Sequence, residues 1–488
     1  MSVKKGETAF WYIWRMGLKK IGIYIHIPFC TKRCIYCNFL SSRGGEQVRQ
    51  HYFDALRAEA EEVFAGGMYG DVQADSIYFG GGTPSCADEQ QIANVLDVIK
   101  KALPVSPNAE ISMEGNPETL LLRSIPLYRD AGINRVSIGL QSASLRLLKF
   151  LGRAHSTADF SAAVQRLNAA GITNLNADIL LGVPGQTVED IKDAISFVCR
   201  QGIKHVSVYG LKAEKGTKLY KMIALGSIKM PGEDECADMY AAAAEELKSW
   251  GLYRYEVSNF SVPGYECYHN LKYWRRLPYA GLGASAHSFT GGIRYNNVAS
   301  VSKYIAAAGS GFDSIRRQHI ISAEEAEFEY IMLNLRLSRG IDTSEFKRLF
   351  GSDFKDKYKT VLKKYSQFFW ETVLPYSGNA RVEGISKPSG TDVCNIDRCG
   401  NTKAYGVCIN YNTGAHVLDG VDSAEAERFG ESNTLNADSD TSSDTISNIG
   451  GNTDSDTSND TGGGCTFVSI NEKGIYVQNA LLAEFLPD

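Results

Sequence analysis

The sequence predicts an α/β fold whose parallel strands form a partial (β/α)6 barrel, and three observations carry that expectation. Six runs rich in Ile, Val and Tyr punctuate residues 21–215: IGIYIHI (21–27), DSIYFG (75–80), AEISMEG (109–115), RVSIGL (135–140), LNADILLG (175–182) and HVSVYG (205–210). Their length and composition suit buried strands. Amphipathic helical patterns fill the gaps. In DEQQIANVLDVIKKAL, Ile92, Val95, Leu96, Ile99 and Leu103 recur on one helical face, and HYFDALRAEAEEVF and VEDIKDAISFVCR read similarly. Finally, repeated strand–helix units imply a parallel sheet with helical crossovers. An open doubly wound sheet has the same periodicity and stays as the alternative.

The rest of the chain departs from that rhythm. Residues 1–20 read as an N-terminal extension and residues 216–376 as a second lobe packed on the first. In that lobe the helical stretches DECADMYAAAAEELKSWG and AEEAEFEYIMLNLRLSRGI surround a Tyr- and Gly-rich region, 252–296. Residues 377–464 turn to Ser, Thr, Asn, Asp and Gly, and ESNTLNADSDTSSDTISNIGGNTDSDTSNDTGGG holds no Lys or Arg. Such a segment buries too little surface to offset its ordering entropy and is predicted to be disordered. Residues 465–488 regain an amphipathic pattern and are expected to fold back on the second lobe.

Composition bounds the function. The 488 residues are 43% hydrophobic and 22% charged, ordinary for a globular chain of two or three domains. A formal net charge of −5 supplies no basic field for nucleic acid. No apolar run is long enough to span a membrane. The first twenty residues lack the uninterrupted apolar stretch of a secretory signal. A cytoplasmic protein is expected. Because Lys4, Lys5, Arg15, Lys19 and Lys20 outnumber Glu7, a transit segment to the mitochondrial matrix is the alternative.

Eleven cysteines in so long a chain do not describe a disulfide scaffold. Cys86, Cys199, Cys236 and Cys267 are scattered singly and read as core or surface thiols. Cys394, Cys399 and Cys408 lack a recognisable fourth ligand and read as incidental. Cys30, Cys34 and Cys37 are different. YIHIPFCTKRCIYC (24–37) places them as C-x3-C-x2-C just after the first strand run, at the strand end where α/β folds build ligand sites. Structural zinc takes four ligands. Three thiolates instead suit a [4Fe–4S] cluster with one iron left for a small-molecule chelate. S-adenosylmethionine (SAM) can supply that chelate through its amino and carboxylate groups, and one-electron reduction can then cleave its carbon–sulfur bond.

Polar groups at successive strand ends read as one shared pocket with this site. GGGTPS (80–85) follows the second strand, Glu114 ends the third in SMEGNPE, and Gln141 ends the fourth in IGLQS. Arg153 lies in GRAH and Asp178 in NADIL.

The C-x3-C-x-aromatic-C spacing, with Tyr36 as the aromatic residue, resembles the radical-SAM signature. YIHIPFC, FGGGTPS, EGNPE, GLQS, LGRAH and DILLGVPGQT together resemble the HemN/HemW family over about residues 21–375, and again over about 465–486. The resemblance implies a radical-SAM partial barrel with a helical, winged-helix-like C-terminal region, here interrupted by the low-complexity insertion. It implies that Cys30, Cys34 and Cys37 bind the cluster and that Tyr24, Gly81 and Glu114 contact SAM. Tyr36, Gly82, Thr83, Gln141, Arg153 and Asp178 match positions that contact a second SAM in the HemN type. An electron donor for the cluster is an implied partner.

Two activities share this architecture. The HemN type is an oxygen-independent coproporphyrinogen III dehydrogenase, and the HemW type is similar to a heme chaperone that passes heme to apoproteins. Phe39 stands where the HemN motif has a fourth cysteine. HNLKYW supplies His269, Asn270, Tyr273 and Trp274 in the H-N-x-x-Y-W pattern of the HemW type. The chain also begins its barrel without a long N-terminal arm. The expected function is therefore heme binding and delivery, with heme-accepting apoproteins as partners and the dehydrogenase as alternative. A homodimer and a radical-SAM reaction on another substrate stay open. Imidazole is a usual axial ligand of heme iron, and Tyr and Trp offer flat apolar faces to a macrocycle. His269, Tyr273 and Trp274 are therefore expected to contact heme, with His287 and Cys267 as alternative ligands. A bracing role in a turn and core is the other reading of the same motif.

Overall fold

The computed structural model describes residues 20–65, 69, 72–374, 465–471, 481, 482 and 485. The expected N-terminal extension, apart from Lys20, and the expected disordered insertion, with Cys394, Cys399 and Cys408, lie outside the described residues.

Six strands form the centre: β1 (Lys20–Ile27), β2 (Gln73–Gly81), β3 (Val105–Gly115), β4 (Arg135–Gln141), β5 (Asn174–Leu181) and β6 (His205–Gly210). They pair in sequence order and all in parallel. The crossovers carry the helices α1 (Glu46–Ala65), α2 (Glu89–Ala102), α3 (Ile125–Ala131), α4 (Thr157–Ala169) and α5 (Val188–Arg200). The helical pattern read from the sequence is the one buried: Ile92, Val95, Leu96 and Ile99 of α2 are all fully covered. Local chemistry sets the helix starts. Ser156 and Asp159 form a capping box for α4, and Thr187 and Asp190 form one for α5, satisfying N–H groups that have no partner in the first turn. A further helix, α6 (Glu233–Ser249), packs beside α5, where Ser196 donates to Glu246 at 2.9 Å.

The 252–296 region is not a separate lobe. Its strands extend both edges of the central sheet. At one edge β7 (Tyr253–Arg254) and β8 (Asn259–Ser261) follow β6, which pairs antiparallel with β8. At the other, β9 (Tyr279–Leu282) pairs in parallel with β1 and leads to β10 (His287–Phe289), β11 (Ile293–Asn297) and β12 (Arg316–Ile320). The order is β12-β11-β10-β9-β1-β2-β3-β4-β5-β6-β8-β7. β1 and β6 each take one of these added strands as neighbour, so the barrel is partial. Short strands rich in Tyr and Gly carry too little period-2 signal to be placed in advance.

The two faces of β1–β6 differ. Ile21, Ile23, Ile25 and Ile27 of β1, Ile77 and Phe79 of β2, and Val136, Ile138 and Leu140 of β4 enter the apolar core. The alternate positions include Tyr78, Glu114, Arg135, Ser137, Asn176, Asp178, His205 and Ser207, which line an internal pocket. This alternation of side chains is the period of a strand.

A second core holds the C-terminal region, around α7 (Ala323–Asn334) and α8 (Thr343–Phe350). Its sheet has β15 (Cys465–Ile470) between β13 (Ile341–Asp342) and β14 (Phe369–Leu374), both antiparallel. The strand after the insertion thus pairs with the one before it, and closing so long a loop costs little more entropy than closing a shorter one. Phe485 lies against Phe354, centroids 6.2 Å apart. Among the described residues no helix is long and apolar enough to cross a membrane.

Candidate functional site

The site is built at the C-terminal ends of the parallel strands. After β1 the chain enters a loop carrying Cys30, Cys34 and Cys37, all partly buried and none in a disulfide. Backbone bonds hold the loop at several points: Cys30 N–H to Ser42 O (3.1 Å), Ser42 N–H to Pro28 O (2.7 Å), and Cys37 N–H to Cys34 O (3.3 Å). Arg33 Nε donates to Cys37 O at 3.1 Å. The glycine-rich turn is stitched to the same loop by Gly82 N–H to Ile27 O (2.9 Å) and Thr83 N–H to Phe29 O (2.8 Å). A Cβ at Gly82 would meet Phe29 O at 2.8 Å, and Gly81, at φ +111°, lies against the His26 ring. Only glycine permits that approach.

All three cysteines line one pocket, as do Tyr36, Gly81, Gly82 and Thr83. Glu114, Gln141, Arg153 and Asp178 line it too, so successive strand ends converge on it. Tyr24 does not line this pocket. It is buried behind Tyr78, with its OH 3.0 Å from His26 Nδ1. Gln141 adopts φ +69° at the end of β4, a costly backbone for a residue with a Cβ and one found at ligand sites.

Polar contacts tie the wall together. Cys30 Sγ lies 3.4 Å from Thr83 Oγ1. Arg153 donates to Cys34 Sγ (3.5 Å), Asn116 Oδ1 (2.6 Å) and Gly139 O (2.9 Å). Tyr78 OH and the Gly81 N–H donate to Glu114, at 2.9 and 3.3 Å. Ser137 and Asn176 donate to Asp178, at 3.0 and 2.7 Å. Burial, then the Asp178 charge, pushes the Glu114 carboxyl up to about 8. Burial also raises Asp178, against the hydrogen bonds from Ser137 and Asn176.

The thiols fit an iron–sulfur group. Burial pushes Cys30 up to about 12 and raises Cys37. Thiolates there need cationic compensation, which iron supplies and which Arg153 supports at Cys34. Among the described residues no three His, Cys, Asp or Glu side chains converge on a single metal ion. Three thiols facing one pocket suit an iron–sulfur group that leaves one iron for a small-molecule ligand.

Sequence reasoning missed Asn116, which links Thr83 Oγ1 (3.3 Å) to Arg153. It also missed the polar wall beneath the rim, where Asn176 Nδ2 donates to Ser137 and Ser207, at 2.7 and 3.0 Å. His205 Nδ1 lies 2.6 Å from Asn176 Oδ1. The signal was present as a polar residue at every second position of strands otherwise rich in Ile and Val.

The expected heme contacts are set apart from this pocket. HNLKYW lies in a short helix, Tyr268–Trp274. His269 is fully buried there, with Nδ1 2.9 Å from Ser76 Oγ and Nε2 2.8 Å from Tyr273 OH. It stacks on Tyr78 at 5.2 Å and does not line the pocket. Burial, with Lys272 and Arg135 adding, holds its imidazole well below the usual range. Through these two hydrogen bonds His269 ties the helix to β2 and to Tyr273. Tyr273 packs edge-on against Tyr279 at 4.7 Å, and Trp274 packs on the C-terminal core. Cys267 is buried, which raises its thiol, and His287 is half-buried on β10.

A partial barrel with three thiols and a glycine-rich turn at its strand ends defines a radical-SAM protein. The comparisons agree. The Radical SAM superfamily description matches residues 24–198, and the HemN C-terminal domain description matches residues 321–367. The chain is 34% identical over 346 residues to the heme chaperone HemW of Bacillus subtilis, covering 70% of this chain and 90% of that one. It is 34% identical over 344 residues to the heme chaperone HemW of Mycobacterium tuberculosis, covering 70% and 87%. Escherichia coli coproporphyrinogen III oxidase (HemN) shares the fold, with a TM-score of 0.63 at 20% identity, covering 73% of this chain and 86% of that one. The chain belongs to the radical-SAM HemN/HemW family. Membership in the superfamily implies a [4Fe–4S] cluster and SAM as cofactors.

Proposed function

We propose that this chain binds heme and delivers it to apoproteins, as the HemW relatives are named to do, while carrying a SAM-liganded [4Fe–4S] cluster. The observation that carries the reading is Phe39. It lines the pocket beside the three thiols, at the position where the dehydrogenase type has a fourth cysteine. The identity to proteins named heme chaperone HemW, over most of their length, supports it.

Cys30, Cys34 and Cys37 hold the cluster in this reading. Bound there, the cluster and SAM supply one-electron chemistry. Gly81, Gly82 and Thr83 bring backbone groups close to the ligand, and Glu114 and Asp178 offer acceptors to its amino and hydroxyl groups. Arg153 offsets negative charge at Cys34. An electron donor, the cytoplasm or mitochondrial matrix as compartment, and a homodimer belong to the same proposal.

The test is hemin titration of the full chain with its cluster reconstituted anaerobically. A saturable Soret band at about one heme per chain is expected, and no uptake would sink the reading. The second reading, coproporphyrinogen III dehydrogenase, is favoured by one observation: Tyr36, Gly82, Thr83, Gln141, Arg153 and Asp178 all line one pocket. Protoporphyrinogen IX formed from coproporphyrinogen III, SAM and a reductant would establish it in place of the first.

A further inference from the structure

β4 leaves its register with β5 at its C-terminal end. Gly139 pairs with Asp178 and Gln141 with the very next residue, Ile179, so Leu140 is one residue extra. That is a β-bulge, a device that re-aims a side chain beside a ligand site. Gln141 takes φ +69° there and lines the pocket. A residue with a Cβ stays in that region only where its surroundings fix it.

Two carbonyls of the bulge are fixed from one loop, residues 152–156. Arg153 Nη2 donates to Gly139 O at 2.9 Å, and His155 Nε2 donates to Leu140 O at 2.9 Å. His155 is 2% exposed. Its other nitrogen, Nδ1, lies 3.3 Å from Glu118 Oε2, on the short helix Pro117–Leu120 that follows β3. Against the burial that would raise it, contact with His155 and the Arg153 charge hold the Glu118 carboxyl below its ordinary range. A carboxylate there favours the ring orientation that turns Nε2 to the bulge.

Side chains fill the space over the bulge. A Cβ at Gly139 would meet Gln141 Nε2 at 2.9 Å, Arg153 Nη2 at 3.0 Å and Asn116 Oδ1 at 3.2 Å. Gly139 does not have a positive φ, so the glycine serves close approach and not the backbone. The Gln141 amide, Arg153 and Asn116 thus meet over one residue of β4 on the pocket wall.

We propose that Glu118, His155 and Arg153 clamp this bulge and thereby position the Gln141 amide as a hydrogen-bonding contact for SAM. Gln141 touches the ligand, whereas Glu118 and His155 act through it and are positioning residues. The proposal rests on SAM occupying this pocket and not on heme delivery.

The test is calorimetric titration of the cluster-loaded full chain with SAM. Gln141→Ala is expected to weaken SAM about tenfold, the loss of one hydrogen bond to a charged ligand. Glu118→Ala is expected to weaken it about fivefold, and Glu118→Gln, which keeps an acceptor oxygen for His155, to restore most of that loss. In a Gln141→Ala background, Glu118→Ala is expected to change SAM affinity less than about twofold, because the group it positions is gone. Gly139→Ala, whose methyl displaces the amide, is expected to weaken SAM about tenfold and gives a second route if Glu118→Ala does not fold. Unchanged affinity in folded Gln141→Ala or Gly139→Ala would overturn the proposal. So would a Glu118→Ala loss as large without the Gln141 side chain as with it. Failure of the unaltered chain to bind SAM would sink the SAM reading and the clamp together, whereas normal binding there with those variant results sinks the clamp alone.

Discussion

The cluster loop and the HNLKYW helix are both short motifs rich in groups that bind metals, yet the fold treats them oppositely. The loop keeps Cys30, Cys34 and Cys37 partly buried and facing one pocket. The helix turns His269 into the core and engages both ring nitrogens. The difference lies in neighbours. The loop lies at strand ends against glycines, which leave room, whereas the helix lies against β2, where Ser76 and Tyr78 fill the space. The thiols stay open to the pocket, whereas both imidazole nitrogens are engaged within the fold.

The comparison can be broken most forcefully at the loop. Cys34→Ala is expected to abolish cluster assembly, read as loss of bound iron and of the visible iron–sulfur absorption. Full iron loading would refute the assignment. His269→Ala is expected to cost about 3 kcal/mol, because it opens a cavity and strands two buried hydroxyls. Denaturant unfolding measures this, and the folded variant should still take up heme. Loss of heme binding without loss of stability would restore His269 as a ligand.

Asn116→Ala tests the bridge between Thr83 and Arg153. It is expected to weaken SAM binding about tenfold, near the worth of a charge-assisted hydrogen bond, with little change in stability. An unchanged SAM affinity would make Asn116 a bystander. The smallest effect is a slope. Glu114 is raised to about 8 in the fold, so between about pH 4.5 and 8 the folded state holds a proton that the unfolded state has released. Stability from this group is therefore lost as pH rises through that window. Glu114→Gln is expected to flatten the fall in melting temperature of the cluster-free protein from about pH 5 to 8. Parallel curves for the two proteins would count against the raised value.

Much of the barrel was legible in advance because its outer face obeys one simple force. Ile23, Ile77 and Ile138 must leave water, so their spacing betrays the strands. The inner wall was less legible. Ser137, Asn176 and His205 look like ordinary polar positions until the register sets them round one pocket. Nor did local pattern reveal that β7 to β12 would extend both edges of the same sheet, since strands of two to five residues carry little periodic signal.

The sequence by itself determined the six strand–helix units, the loop of three thiols and the glycine-rich turn. These depend on spacing along the chain, and spacing is what a sequence records. Only the tertiary structure decided that His269 is spent on Ser76 and Tyr273, and that Asn116 joins Thr83 to Arg153. Whether a polar group is satisfied depends on residues far apart in sequence, and only folding brings those together.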